Sequence, residues 1–294
     1  MPHDTTTTNR SSRRAGFTLV ELLLVIAIIA IVLALILVAI NKLQNQARAT
    51  NCLANQRQLA LANQAYASDN AGRLASPRTD RYPPEGPMKP VSNCWVDTAG
   101  ALSGGLETVK SLEQGALWEY LDQNPRAYVS PQDPTGRVRS YSFNAFVGVG
   151  DNDYDHRCDD LWLFPDPGSP ETPDTIRGQQ FKTVTMAQIP QPSRTMATIT
   201  EEDAYGYNTQ GWCIRVRPPA STAGDWIDTP AIWNTGRVNI SYMDGSIDAP
   251  NIVYEQLEQI FRQTNHFAIE TGTRPAFRFM SSILLPGIVR PEIQ

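Results

Sequence analysis

Arg13-Arg14-Ala15-Gly16-Phe17-Thr18-Leu19-Val20-Glu21 leads into LLLVIAIIAIVLALILVAI, nineteen consecutive apolar residues from Leu22 to Ile40. The run contains no Gly, no Pro and no polar side-chain atom. At 1.5 Å per residue it predicts a helix of roughly 28 Å, close to the thickness of a bilayer's hydrocarbon core. A helix buried in a soluble core normally keeps a polar face, and this run has none. An ordinary secretory signal has a shorter apolar region with a small-x-small cleavage site after it, whereas Asn41-Lys42-Leu43-Gln44-Asn45-Gln46 follows here. Residues 17–40 are therefore expected to cross a membrane once.

Charge leaves the direction of crossing open. Arg10, Arg13 and Arg14 precede the span, and Lys42, Arg48 and Arg57 follow within twenty residues, so the positive-inside count is a tie. A short arm before the span and a large domain after it make a cytoplasmic N-terminus the less costly arrangement. Glu21 sits at the head of the span, where an unpaired carboxylate costs on the order of 2 to 4 kcal/mol on insertion scales. It calls for a cation nearby, or else for a place in the headgroup region with the side chain snorkelling outward. Gly16 leaves the backbone accessible and easily extended, as a protease requires at a scissile bond.

The segment from Arg13 to Glu21 with the helix behind it resembles the type III signal of type IV prepilins and type II secretion pseudopilins: a basic leader ending in Gly, then Phe-Thr-Leu-x-Glu. The resemblance implies that a membrane-embedded aspartic peptidase removes a leader of residues 1–16 by cutting between Gly16 and Phe17. It also implies that Phe17 is then N-methylated. Glu21 becomes the assembly residue, paired with a Phe17 amino group on its own or a neighbouring chain. The implied partners are prepilin peptidase/methylase, other pilin or pseudopilin subunits in a homo- or hetero-oligomeric filament, and the inner-membrane assembly machinery. The implied location is the inner membrane, single-pass, with the N-terminus cytoplasmic and the globular domain periplasmic or extracellular.

Residues 41–70 lack Pro and Gly and are rich in Ala, Leu, Gln and Arg, which favours a continuing helix. Leu53, Ala54, Arg57, Leu61, Ala65 and Tyr66 recur at spacings of three and four, the pattern of an amphipathic stripe. Asn70-Ala71-Gly72 supplies the stop, with Gly72 expected as the C-terminal cap. The expected organisation is a leader over 1–16, a long helix over 17–72 and a globular domain over 73–294.

The helix end also resembles a prepilin-like family with large globular domains, which reads Cys-x-x-Asn-x-[LR]-Q-[LI] where this chain has Cys52, Asn55, Arg57, Gln58 and Leu59. Patches further on extend the likeness. Ser130-Pro131-Gln132-Asp133 matches a Cys-Pro-x-Asp segment with serine for cysteine, Ser140 to Asn144 matches a Ser-Tyr-x-x-Asn strand, and Pro192 to Met196 leading to Glu201 matches another. Asp244-Gly245 ends a signature whose histidine position is Asn234 here.

Val238, Ile240 and Tyr242 alternate with Asn239 and Ser241, a half-buried strand, and Asp244-Gly245 offers the positive backbone angles of a tight hairpin. Further short strands are expected over 141–146, 181–186, 195–200 and 211–217. The fold class is α+β: a long N-terminal helix packed on an antiparallel sheet. Ile252, Val253, Leu257, Ile260 and Phe261 fit one face of a C-terminal helix. Residues 76–94 and 165–175 read as exposed Pro-rich loops.

Candidate chemistry is sparse. Asp151, Asp153 and Asp155, with Asp159 and Asp160 behind them, alternate along a loop as calcium ligands do, though the sixth position is His156 and the twelfth Trp162, which an EF-hand forbids. A solvated acidic loop is the plainer reading of those residues. Only His156 and His266 would remain for acid–base work after the leader carrying His3 is removed, and no Gly-x-Ser-x-Gly, His-Glu-x-x-His or phosphate loop occurs. The six tryptophans, Trp95, Trp118, Trp162, Trp212, Trp226 and Trp233, suit a core, with a sugar or peptide groove as the other use. Cys94, Cys158 and Cys213 lie in the expected exported domain, where one disulfide among them with Cys52 free is the expectation.

Composition bounds these readings. With 41% hydrophobic and 19% charged residues the chain folds. The net charge is −5, and the first sixteen residues carry +2, so the body is mildly acidic and no nucleic-acid partner is predicted. The expectation is a structural filament subunit without enzymatic activity. The alternative is a singly anchored envelope protein whose large domain binds a ligand.

Overall fold

The computed structural model describes residues 17–79, 93–98, 108–148, 184–202, 211–216, 224–226, 228–233, 236–252, 267–268 and 274–284. It divides into two compact units, Met1–Gln46 and Ala47–Gln294. A 51-residue helix, α1, runs from Leu19 to Asp69. Its N-terminal half falls in the first unit and its C-terminal half in the second, so the larger unit begins inside the helix.

The termination of α1 is a Schellman turn. Gly72 N–H donates to Ala67 O at 2.8 Å, and both Ala71 (φ 55) and Gly72 (φ 82) are left-handed. The expected glycine is present, but the first left-handed residue is Ala71. Asn70 steadies it by donating its side-chain amide to Tyr66 O at 2.7 Å.

In the larger unit, β1 (Tyr141–Phe143), β2 (Met196–Thr200), β5 (Ile240–Tyr242) and β6 (Ile247–Asp248) form an antiparallel sheet in the order β1-β2-β5-β6. A second antiparallel sheet holds β3 (Ile214–Val216), β4 (Gly224–Trp226) and β7 (Phe267–Ala268) in the order β3-β4-β7. Two further helices are described, a single turn α2 (Val109–Glu113) and α3 (Arg274–Leu284). The architecture is α+β, as expected.

The register explains how one strand serves two cores. Met196 pairs with Tyr242 but Thr198 with Ser241, so Ala197 is an extra residue, a bulge. Ala197 then joins Ala60, Ala67 and Leu74 in one apolar cluster, while Thr198 Oγ1 reaches Gln56 Oε1 of α1 at 3.4 Å. Met196 and Ile199 point the other way, into a larger core with Trp212, Trp226, Ile240, Phe277 and Met280. A third cluster gathers Cys52 and Leu59 of α1 with Trp95, Leu117, Tyr128, Tyr141 and Phe143.

The face of α1 that is buried differs from the stripe expected. Cys52, Gln56, Leu59, Ala60, Ala62, Asn63 and Ala67 are buried, whereas Ala54, Arg57, Leu61 and Ala65 are exposed. The reason is polar. Gln56 donates to Asn239 O at 2.9 Å, Asn63 accepts from Ala75 N–H at 2.8 Å, and Asn55 donates to Arg126 O and Val129 O at 3.0 Å each. These amides bond to backbone groups of the sheet and loops, Asn239 O accepting from Gln56 in addition to Thr200 N–H at 3.2 Å, so Gln56 and Asn63 take interior positions that a hydrophobicity pattern assigns to solvent.

Other expectations are also revised. Over the described end of 181–186 the strand is absent: Thr185 makes an isolated bridge to Arg73, and Met186 starts a 3-10 turn capped reciprocally by Thr185 and Gln188. The strand expected over 141–146 stops at Phe143, where Asn144 turns its side chain onto Met196 O and Leu284 O. The loop expected to be exposed from residue 76 starts and finishes buried. Ser76 bridges Cys94, and Arg78 and Thr79 are enclosed. The 242–246 hairpin forms, but only Gly245 (φ 85) is left-handed. Gly245 N–H donates to Tyr242 O and Tyr242 N–H to Ser246 O, both at 2.9 Å, a type I turn followed by a glycine bulge. The expected helix from Ile252 to Phe261 lies outside the described residues beyond Ile252.

Candidate functional site

The N-terminal site is built on the first turn of α1. Thr18 stands just ahead of the helix. Its backbone N–H and its hydroxyl both donate to Glu21 Oε2 at 2.8 Å, and Glu21 N–H donates back to Thr18 Oγ1 at 3.3 Å. Leu22 N–H closes the first helical bond onto Thr18 O at 3.2 Å. This reciprocal arrangement is a capping box, in which a threonine at the helix start and a glutamate three residues on satisfy each other's backbone donors. The carboxylate that the sequence supplied only with a distant cation thus has two local donors. The Thr-x-x-Glu spacing was the signal for it.

Phe17 precedes this box, outside the helix and 74% exposed. Gly16, the other half of the expected cleavage site, lies outside the described residues. From Leu22 to Leu37 the helix is apolar on every side: Leu22, Leu24, Ile26, Ile28, Ile31 and Leu33 are all more than half exposed. Among the described residues α1 is the one helix long and apolar enough to cross a membrane, and no residue of its apolar window is buried within the fold. A core helix of a soluble protein would hide at least one face.

The patches that carried the second resemblance have structural roles in the larger unit. Asp133 Oδ2 accepts from Ser140 Oγ at 2.6 Å and forms an ion pair with Arg137 at 3.0 Å, while Oδ1 accepts from Thr135 N–H at 2.8 Å. Arg137 reaches on to Glu201 O at 2.9 Å and lies over the Trp233 ring at 5.6 Å. Ser130 receives Gln132 N–H on its hydroxyl at 3.1 Å. Asp244 accepts from the N–H and hydroxyl of Ser246 at 2.9 and 2.6 Å, a turn residue as expected. Each carboxylate is spent on fixing a loop, which leaves no free acid–base pair among them.

The other expected chemistry is placed as follows. Asp151, Asp153 and Asp155, with His156, Cys158, Trp162, Asn234 and His266, lie outside the described residues. Among the described residues no three His, Cys, Asp or Glu side chains gather as a metal site. Trp95, Trp212 and Trp226 are core residues, and Trp118 and Trp233 are half-buried. Cys52 is a buried free thiol, and burial pushes it up from its ordinary range.

The family profile described as "Prokaryotic N-terminal methylation motif" matches residues 11–37. No curated protein and no solved structure matches the chain. The matched residues contain Gly16, Phe17, the Thr18–Glu21 box and most of the apolar run. The chain therefore carries a prepilin-type signal, the mark of type IV pilin-like precursors, on a single helix suited to anchor it in a membrane.

Proposed function

We propose that this chain is a structural subunit of a type IV pilus-like or type II secretion pseudopilus filament. It is made as a precursor, cut between Gly16 and Phe17, N-methylated at Phe17, and packed through α1 against the helices of other subunits. The observation that carries the reading is the prepilin-type motif set on a helix whose sole charge between Phe17 and Asn41 is Glu21. An acid placed alone in so apolar a helix is costly in lipid and is relieved by a neighbouring amine. The N-terminus lies in the cytoplasm and the larger unit in the periplasm or outside the cell. Prepilin peptidase, other pilins and the inner-membrane assembly machinery are its partners, and it is a substrate of an enzyme without being one.

Mass spectrometry of the protein from cells with active prepilin peptidase tests this directly. The expected mature form begins at methylated Phe17, and a chain that still begins at Met1 overturns the reading. Glu21→Ala is expected to remain in the membrane fraction yet fail to polymerise. An anchored binding protein, the second reading suggested by the extent of Ala47–Gln294, would tolerate that change. Calcium at Asp151, Asp153 and Asp155 is proposed on their spacing alone. A rise in melting temperature with added calcium, reversed by chelator, supports it, and no change removes it.

A further inference from the structure

We infer that Lys42 and the polar collar around it bind the phosphate of an anionic phospholipid headgroup, which fixes the depth of α1 in the membrane before assembly. This rests on the subunit reading above and names the lipid class that the unassembled chain recognises. Three observations carry it. The apolar run stops at Ile40, and Asn41, Lys42, Gln44 and Asn45 follow at once on the same helix, all exposed. Among the described residues Lys42 has no hydrogen bond or ion pair, so its ammonium group is open to an outside anion. From Leu22 to Ser68 α1 carries three cations, Lys42, Arg48 and Arg57, and no acid, so nothing along that stretch of helix neutralises them.

Distance selects Lys42 among the three. For a helix along the bilayer normal, Lys42 stands about 3 Å past Ile40, inside a headgroup layer that adds roughly 5 to 8 Å to each side of the hydrocarbon core. Arg48 and Arg57 stand about 12 and 25 Å past it, outside that layer. Lys42 is also about 31 Å from Glu21 along the helix, against a hydrocarbon core of about 30 Å. With Lys42 among the phosphates of one leaflet, the Glu21 carboxylate stands at the opposite interface. The lysine stem covers the last apolar turn while its ammonium meets the phosphate, and the amides of Asn41 and Asn45 offer hydrogen bonds to the ester oxygens and hydroxyls of the same headgroup. A zwitterionic headgroup carries its own cation beside the phosphate, so an anionic lipid such as phosphatidylglycerol is the better partner.

The test uses the full chain after its leader has been removed by prepilin peptidase, reconstituted in phosphatidylcholine vesicles. Spin-labelled phosphatidylglycerol and spin-labelled phosphatidylcholine are the probes, and electron spin resonance reads how much of each the protein holds at its surface. The wild type is expected to prefer phosphatidylglycerol about fivefold, the ratio that one cation at an anionic surface supports. Lys42→Gln is expected to lose the preference, Lys42→Arg to keep it and Arg57→Gln to leave it unchanged. Equal retention of the two probes by the wild type, or an undiminished preference in Lys42→Gln, overturns the proposal. Excess inorganic phosphate is expected to leave the preference in place, and its loss would assign the site to free phosphate and overturn the lipid reading. None of these results bears on the subunit reading, which falls instead if mass spectrometry shows that prepilin peptidase leaves Met1 in place.

Discussion

Arg139 and Glu201 meet inside the larger unit with 3.9 Å between guanidinium nitrogen and carboxylate oxygen, their side chains only 6% and 4% exposed. Arg139 also donates to Tyr141 O and Ser142 Oγ at 2.9 Å each, Ser142 donates to Glu201, and the guanidinium lies 5.7 Å from the Trp95 ring centroid. The pair therefore ties β1 to the residue that follows β2. Two buried charges are costly to desolvate, so removing one partner strands the other.

Glu201→Leu is accordingly expected to cost about 3 kcal/mol, lowering the melting temperature by about 6 to 12 °C for a unit this size. Arg139→Met with Glu201→Leu should recover most of that loss. Thermal melts of the four chains in a double-mutant cycle measure the coupling, and additive losses would contradict it.

Ser130, buried like Cys52, is one of the polar side chains around that thiol, with Tyr141, Asn239 and Gln56. Ser130→Cys is expected to form a disulfide with Cys52 under oxidising conditions. The closed loop is long, so the gain reaches up to about 4 kcal/mol if the geometry is unstrained. A melting temperature that rises without reductant and falls back with it confirms the bond. Continued alkylation of Cys52 in oxidised, denatured protein refutes it.

Gly245 combines φ 85 with a hypothetical Cβ only 2.9 Å from Leu61 Cδ2. Gly245→Ala should cost about 1 to 2 kcal/mol, chiefly from the left-handed backbone, because the leucine tip can give way. Asp244→Ala, which loses the bonds to Ser246, should cost about 1 kcal/mol. Chemical denaturation with unchanged slope is the measurement. Equal stability of Gly245→Ala and the wild type would show that the turn relaxes freely.

Alkaline pH should weaken the larger unit. Burial first, then Asp248 and Asp244, pushes Tyr242 from 10.0 up to about 12, and burial raises Tyr141 and Tyr128 further. Between pH 10 and 12 the folded state keeps the Tyr242 proton that the unfolded state has released. The tyrosine contribution is thus whole below pH 10 and is lost as pH rises through 12. Tyr242→Phe is expected to flatten the decline of melting temperature over that window, and an unchanged slope would rule Tyr242 out as its source. Tyr128→Phe tests a related point. Its buried hydroxyl has no hydrogen-bond partner among the described residues, so the change should be neutral or stabilising by about 1 kcal/mol.

The elements most legible in the sequence were those coded by neighbours. The apolar run, the Asn70-Ala71-Gly72 stop and the strand before Asp244-Gly245, shortened from Val238–Tyr242 to Ile240–Tyr242, are all short-range patterns, and a helix, a stop and a hairpin form there. The Thr18–Glu21 box is just as local, carried by the three-residue spacing from threonine to glutamate. The buried face of α1 was misread for another reason. Gln56 and Asn63 sit inside because their amides bond to Asn239 O and Ala75 N–H, which lie far away in sequence or beyond the turn.

The sequence by itself determined the long apolar helix, its prepilin-type signal and the α+β class, because each follows from the character of consecutive side chains. Only the tertiary structure decided which face of α1 is covered, that the Ala197 bulge lets β2 feed two cores, and that Arg139 and Glu201 share one enclosed site. Those outcomes depend on which groups distant strands and loops bring together, a quantity no single stretch of sequence carries.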